Sequence, residues 1–298
     1  MKRNRLLKAG LAVLCISMVM AAGLWFLFVA TPPTTESDLN ATTPDPNLST
    51  APPEFTMTAM VTTRELEEPS DTTNWSAGVV YDADAEERLG WLNSTGADGE
   101  VSMGQYQRYS QNATHEYNRY HHPESDAFDT RVESIRDDLN PDAESLSVNN
   151  TSQTYVHYRK RPQSAFEVVP DLMPPLGFID RVPFEHDGST TFRGDPVEKY
   201  VPTSGWAQTP GTVDDDPDWY ISNTSGELYV NQTTGHIVHV NVSLTSKRTA
   251  IRAGKWFGES GNRIRIRLTV REDLRDGDLR PGWATDATFD EQSSDRTR

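Results

Sequence analysis

Apolar and polar residues alternate with a period of two through most of this chain, the signature of strands that bury one face. Phe55, Met57, Ala59 and Val61 fall on one side of the first such run. Residues 77–81 and 88–92 flank an acidic turn and read as a hairpin. Residues 101–109 and 115–121 are rich in tyrosine and pair across a loop at Asn112. Alternation resumes at 152–159, and again at 190–202, where Gly194 suits a bulge. Residues 219–221, 227–230 and 236–244 form a meander in which Val238, Val240, Val242 and Leu244 share one face and Ile237 takes the other. The last run, 263–271, reads R-I-R-I-R-L-T-V-R. Helical spacing is confined to 127–139, with Phe128, Val132, Ile135 and Leu139 on one side. The stretch 164–179 is apolar, but Pro170, Pro174 and Pro175 break it into short pieces. The pattern predicts a mainly β fold: a curved antiparallel sheet, an unclosed β-barrel of about ten strands, with a few short helices.

The N-terminus departs from this pattern. Residues 1–8 carry Lys2, Arg3, Arg5 and Lys8, and residues 9–30 carry no charge. As a helix that run spans about 33 Å, enough for a hydrocarbon core of about 30 Å. Trp25 falls where an interfacial indole is favoured, and the basic flank places the rest of the chain outside the cell. The run exceeds the apolar core of about 7–15 residues found in cleaved signal peptides, so it reads as an uncleaved transmembrane anchor. Cys15, the chain's one cysteine, lies inside it behind Leu14 and reads as a small buried hydrophobe. Disulfides and thiol chemistry are thereby excluded from the outer part. The expected organisation is a cytoplasmic basic segment (1–8), a transmembrane helix (9–30), a Pro/Thr-rich stalk (31–54), an extracytoplasmic β domain (55–287) and a disordered tail (288–298).

Composition adds a habitat. Against 44 acidic residues stand 28 basic ones, a net charge of −16. Such a surface stays soluble at very high salt, where repulsion is screened. N-x-S/T acceptors occur at Asn40, Asn47, Asn74, Asn93, Asn112, Asn149, Asn150, Asn223, Asn231 and Asn241. These mark candidate glycosylation sites of an exported protein. Together the features read as a cell-surface glycoprotein of a halophilic archaeon.

Candidate chemistry is sparse. His115, His121 and His122 lie near Glu116, Glu124 and Asp126, but neighbouring strand residues point oppositely and do not converge on a metal. The three-residue spacing of His236 and His239 separates them in the same way. The aspartates at 214, 215, 216 and 218 lack the glycine and glutamate of a calcium loop. No nucleophile elbow, HExxH, phosphate loop or dinucleotide-binding glycine pattern is present. No enzyme, metal or cofactor is expected. The apolar stretch supplies candidates for a lid or ligand cavity: Phe166, Val169, Leu172, Met173, Leu176 and Phe178. Charge is also segregated. Residues 247–271 hold eight basic residues and one glutamate; without them and the basic N-terminus the remainder carries −27. Arg263, Arg265, Arg267 and Arg271 share one strand face and are candidates for contact with anions.

Three segments resemble the LolA/LppX/LprG-type lipoprotein-carrier superfamily in a membrane-anchored haloarchaeal form. FRGDPVEKYVP (192–202) is similar to its Gly-to-Tyr strand, SGELYVNQTTGHIVHVNV (225–242) to its strand–turn–strand, and RPGWATDA (280–287) to a closing Pro-x-Trp element. The resemblance implies an unclosed barrel wrapped around short helices, with an apolar cavity for acyl chains. The expected function is therefore non-catalytic binding of a lipid or other apolar ligand by a single-pass membrane protein. The alternative is a structural or interaction module whose core is filled by its own side chains. Expected partners are the membrane, the apolar ligand and an acidic surface partner, with no nucleic acid.

Overall fold

A computed structural model of the chain describes residues 20, 25, 32–41, 54–66, 72–96, 101–111, 115–160, 179, 182–207, 219–249, 261–271 and 279–284. The strands are β1 (Glu54–Glu65), β2 (Thr72–Asp82), β3 (Glu87–Thr95), β4 (Val101–Gln111), β5 (His115–His121), β6 (Glu144–Asn149), β7 (Thr154–Lys160), β8 (Phe184–Phe192), β9 (Asp195–Pro202), β10 (Gly205–Ala207), β11 (Trp219–Asn231), β12 (Ile237–Arg248) and β13 (Asn262–Arg271). One helix, α1 (Ser125–Asp138), lies between β5 and β6. The strands form one antiparallel sheet in the order β6-β7-β5-β4-β3-β2-β1-β13-β12-β11-β9-β8, with β10 beside β11. Among the described residues β6 and β8 are its unjoined ends, so the sheet is unclosed, as the alternation predicts.

Period two does the sorting. On one face Phe55, Met57, Ala59 and Val61 of β1 meet Ile264, Ile266, Leu268 and Val270 of β13 and Val240, Val242 and Leu244 of β12, all buried. Full burial of each such aliphatic chain contributes about 1.5–3 kcal/mol. The cluster continues into Leu228 and Val230 of β11 and Phe184 of β8. A smaller cluster lies at the other end of the sheet, where Tyr109, Tyr117 and Tyr158 pack with Leu279 and Ala284. These tyrosines fall on the face opposite the aliphatic cluster, as register requires. Arg280 is held there by Tyr117, whose hydroxyl accepts from Nη2 at 3.3 Å. Trp91 crosses Gly78 of the neighbouring strand so closely that a Cβ would lie 1.9 Å from its ring.

Two local expectations change. Gly194 is no bulge. It follows Arg193 in a two-residue turn between β8 and β9, with φ of 100° and 56°, the doubly positive geometry that matches strand twist. Ile237 does not oppose Val240, Val242 and Leu244. The register shifts between Tyr229 and Val230, whose partners are His239 and Ile237, so Val238 is the extra residue of a bulge and Ile237 joins the core. The predicted helix at 127–139 is α1, with Phe128, Val132 and Ile135 buried at i, i+4 and i+7. Asp126 in its first turn and Arg136 in its last complement the helix dipole.

Residues 32–41, expected within the stalk, run against the sheet. Asp38 N donates to the Phe184 carbonyl at 2.8 Å and Trp206 N donates to Thr35 Oγ1 at 2.8 Å. Leu39 and Ala41 pack on the aliphatic cluster. Among the described residues no helix is long and apolar enough to cross a membrane. Of residues 9–30 only Met20 and Trp25 are described, both exposed.

Candidate functional site: a tyrosine-lined cleft beneath the helix

One row of cross-strand partners crosses ten strands on the face that holds the aliphatic cluster. It runs Leu228, Val240, Leu268, Ala59, Ala77, Leu92, Tyr106, Tyr120, Tyr155, Val148. At β4 the row changes from aliphatic to tyrosine. Tyr106 and Tyr120 have ring centroids 6.2 Å apart, and Tyr120 and Tyr155 stack at 5.6 Å. α1 lies over this end, its Phe128 ring 6.3 Å from Tyr155. Phe128, Val132 and Ile135 pack with Leu146 and Tyr155. These contacts leave a cleft of about 850 Å³ lined by Tyr106, Tyr120, Tyr155 and His122 from the sheet side and by Glu124, Asp126, Ala127, Thr130, Arg131 and Ser134 from the helix side.

The floor of the cleft is fixed by a polar network beneath it. Tyr106 donates its hydroxyl proton to Asn118 Oδ1 in a short hydrogen bond. Arg108 Nε donates to the Tyr106 oxygen at 2.9 Å and to Asn118 Oδ1 at 3.0 Å, and Asn118 Nδ2 donates to Glu116 Oε1 at 2.8 Å. Tyr106 is thus locked by a chain that ends on a carboxylate. Burial pushes the Tyr106 phenol up, against the lowering pull of Arg108, and burial raises Tyr120 as well. Burial also raises Tyr155, whose hydrogen bond with Arg131 acts the other way. All three therefore stay protonated at neutral pH and line the cleft, the Tyr106 proton being already given to Asn118.

Beside the network lies His157, buried at 4% exposure. Arg159 Nε donates to its Nε2 at 3.4 Å, while Glu144 Oε2 stands 3.5 Å from the same nitrogen. Burial, then the charge of Arg159, holds the ring below the ordinary histidine range, with Glu144 opposing. The geometry agrees with a neutral imidazole that accepts from Arg159.

The sequence-derived candidates scatter. Phe166, Val169, Leu172, Met173, Leu176 and Phe178 lie outside the described residues, as do Asn47 and Asn112. Asn40, Asn149, Asn150 and Asn223 are exposed, and Asn74, Asn93, Asn231 and Asn241 are half-buried. Asn74 Oδ1 accepts from Thr62 Oγ1 at 2.9 Å, and Asn231 Oδ1 accepts from the Thr233 and Thr234 amides, so these two also serve as local hydrogen-bond partners. Arg263, Arg265, Arg267 and Arg271 are exposed on the face away from the cleft. His121 Nδ1 is bonded to the Ser152 carbonyl at 2.9 Å and His122 Nδ1 accepts from the Glu124 amide at 3.1 Å. The two rings serve different loops, and among the described residues no group of His, Cys, Asp or Glu could hold a metal. The tyrosine row and the Arg108–Asn118–Glu116 network went unread in the sequence. The signal available was the tyrosine enrichment of 101–109 and 115–121 combined with period two.

No family model matches the chain, and no curated protein matches it. Among solved structures it is similar to a chain in the MucA/MucB complex of Pseudomonas aeruginosa, at 10% identity and a TM-score of 0.26, over 78% of this chain and 57% of that one. It is also similar to a LolA superfamily protein from Nitrosomonas europaea, at 9% identity and a TM-score of 0.23, over 78% of this chain and 92% of that one. This chain therefore spans little more than half the length of the Pseudomonas chain. At these scores the functional reading rests on the chain's own residues.

Proposed function

We propose that this protein is a non-catalytic binding protein of the cell exterior, held at the membrane through residues 9–30, that takes a small amphiphilic ligand in the cleft beneath α1. The cleft carries the reading. It joins three tyrosine ring faces, an apolar floor, to a rim of Arg131, Thr130, Ser134 and Glu124. Binding sites are usually concave and mostly apolar, with a few placed polar groups. An apolar body lies on Tyr120 and Tyr155, and a polar head reaches the helix side chains. The anchor and outward orientation rest on the basic residues 1–8 and the uncharged residues 9–30.

One observation favours the rival, a structural module. In the aliphatic half of the sheet Phe55, Met57, Val61, Leu228 and Val240 are all at 0% exposure, as a self-packed core requires. We place the ligand site in the tyrosine half, where the cleft lies.

The test is extraction and return. The full chain is purified from its own host, stripped with organic solvent, and the extract identified by mass spectrometry. Adding the extract back raises the melting temperature by mass action, and Ala127→Trp, which fills the cleft from the helix side, abolishes that rise. An extract without effect on the parent protein would leave the structural module standing.

A further inference from the structure

The opposite face of the sheet carries a line of guanidinium groups along β13. Arg263, Arg265, Arg267 and Arg271 are exposed there. From first to last they span about 27 Å at about 3.3–3.4 Å per residue. β1 adds a fifth, Arg64, directly opposite Arg263. Like charges placed opposite each other are destabilising, so the pair costs stability unless an anion lies between. None of the five forms an ion pair among the described residues, where the ion pairs join other side chains. Solubility alone does not explain the row. β13 is paired on both sides, with β1 and β12, so it is not an edge needing charge to prevent pairing. The row is also opposite in sign to a chain of net charge −16.

The borders of the row narrow the occupant. Arg265 and Arg267 face Thr62 and Met60 on β1 and Ser243 and Asn241 on β12. Thr62, Ser243 and Asn241 thus set hydroxyl and amide groups beside the guanidiniums, with Met60 the apolar neighbour of Arg267. Beyond Arg267 the row meets ring faces: His239, the partner of Thr269, stacks with Phe192 at 4.9 Å and with Tyr229 at 5.6 Å, a platform on which a sugar ring can lie. At its Arg271 end the row opens into a cleft of about 410 Å³, where Arg193 supplies a second guanidinium against the single carboxylate of Asp195.

We propose that this face docks an acidic polysaccharide along β13, its carboxylate or sulfate groups held by the arginines and its hydroxyls by the bordering Ser, Thr and Asn side chains. Guanidinium forks pair two-pronged with such anions, and these charge-assisted contacts are the strong ones. The face is distinct from the cleft under α1, so this proposal and the ligand proposal stand or fall separately. Asn241 lies opposite Arg267, so a glycan on that asparagine covers the middle of the row and competes with docking.

The experiment uses the full chain, produced without N-glycosylation and held in a detergent with a neutral headgroup. A polygalacturonate oligomer is titrated at moderate and at molar salt, with dextran of similar length as the neutral control. The expected result is saturable binding of the polygalacturonate alone, weakening as salt rises. Arg265→Gln with Arg267→Gln lowers affinity about tenfold or more, and the paired lysine substitutions recover only part of it, because lysine keeps the charge and loses the fork. Circular dichroism and the melting temperature stay those of the parent, since exposed positions are replaced. Equal binding of dextran, no binding, or unchanged affinity in the glutamine variant overturns the proposal. Binding to phosphatidylglycerol vesicles without binding to polygalacturonate overturns it as well and assigns the face to the membrane.

Discussion

The two halves of the buried sheet face obey one alternation and reach different ends. Around β1, β12 and β13 the inward positions from Phe55 to Val61, from Val240 to Leu244 and from Ile264 to Val270 are apolar and buried. Across β4, β5 and β7 the inward positions become Tyr106, Arg108, Asn118, Glu116, His157 and Tyr155, and a helix stands over them with a cleft between. Alternation decides which face is buried. Side-chain chemistry then decides whether that face is lined by aliphatic groups or by tyrosines around a cleft. Buried polar groups must be satisfied geometrically, and the chain from Tyr106 through Asn118 to Glu116 does so in the tyrosine half.

The halves separate most sharply under a buried charge. Leu268→Asp, at 1% exposure in the aliphatic half, places an unpaired carboxylate in the packed core, costs more than about 4 kcal/mol and unfolds the sheet by circular dichroism. Phe128→Ala, at 2% exposure in α1, costs about 3–5 kcal/mol by the truncation of a buried ring. Its loss concentrates in the helix. Hydrogen exchange rises over 125–138 and over β6 before it rises in β13, because α1 packs through Phe128, Val132 and Ile135 on Leu146 and Tyr155. Equal loss of protection in β13 would mean that the two halves form one cooperative unit.

Acid gives a smaller contrast. The His157 ring titrates below its ordinary value of 6.5 in the folded chain because of burial, so the unfolded chain binds more protons as pH falls past that value. Stability contributed by the neutral ring is therefore full above about pH 6.5 and is lost as pH falls towards the folded pKa. His239, lowered by burial on another strand, acts in the same direction. Chemical denaturation midpoints measured from pH 8 down to pH 5 fall, and His157→Gln flattens part of the slope. An unchanged slope would place the titration at His239 instead.

Much of the sheet was legible. Strict period two placed β1, the β2–β3 hairpin, the β4–β5 pair and β13, and i, i+4, i+7 spacing placed α1. Other features depend on partners remote in sequence. β6 reads E-S-L-S-V-N, too short and too serine-rich to stand out until β7 pairs with it. The bulge at Val238 reverses the inward assignment of Ile237 and is visible only through the pairing of β11 with β12. The cleft needs the registers of β4 with β5 and of β5 with β7, the second bridging α1 and β6, before three tyrosines fall in one row. The arginine row was plain in the sequence. Its fifth member was not, because Arg64 meets Arg263 only through the β1–β13 pairing.

The difference between the halves is a claim about occupancy, and native mass spectrometry of the full chain reads it directly. Protein purified from its own host in molar salt and transferred with its detergent shows a bound small mass in the parent chain. That mass is absent from Ala127→Trp, whose indole enters the cleft, while the circular dichroism of both is the same. A parent chain without bound mass, or a variant that retains it while folded, would contradict the assignment of the ligand to the tyrosine half.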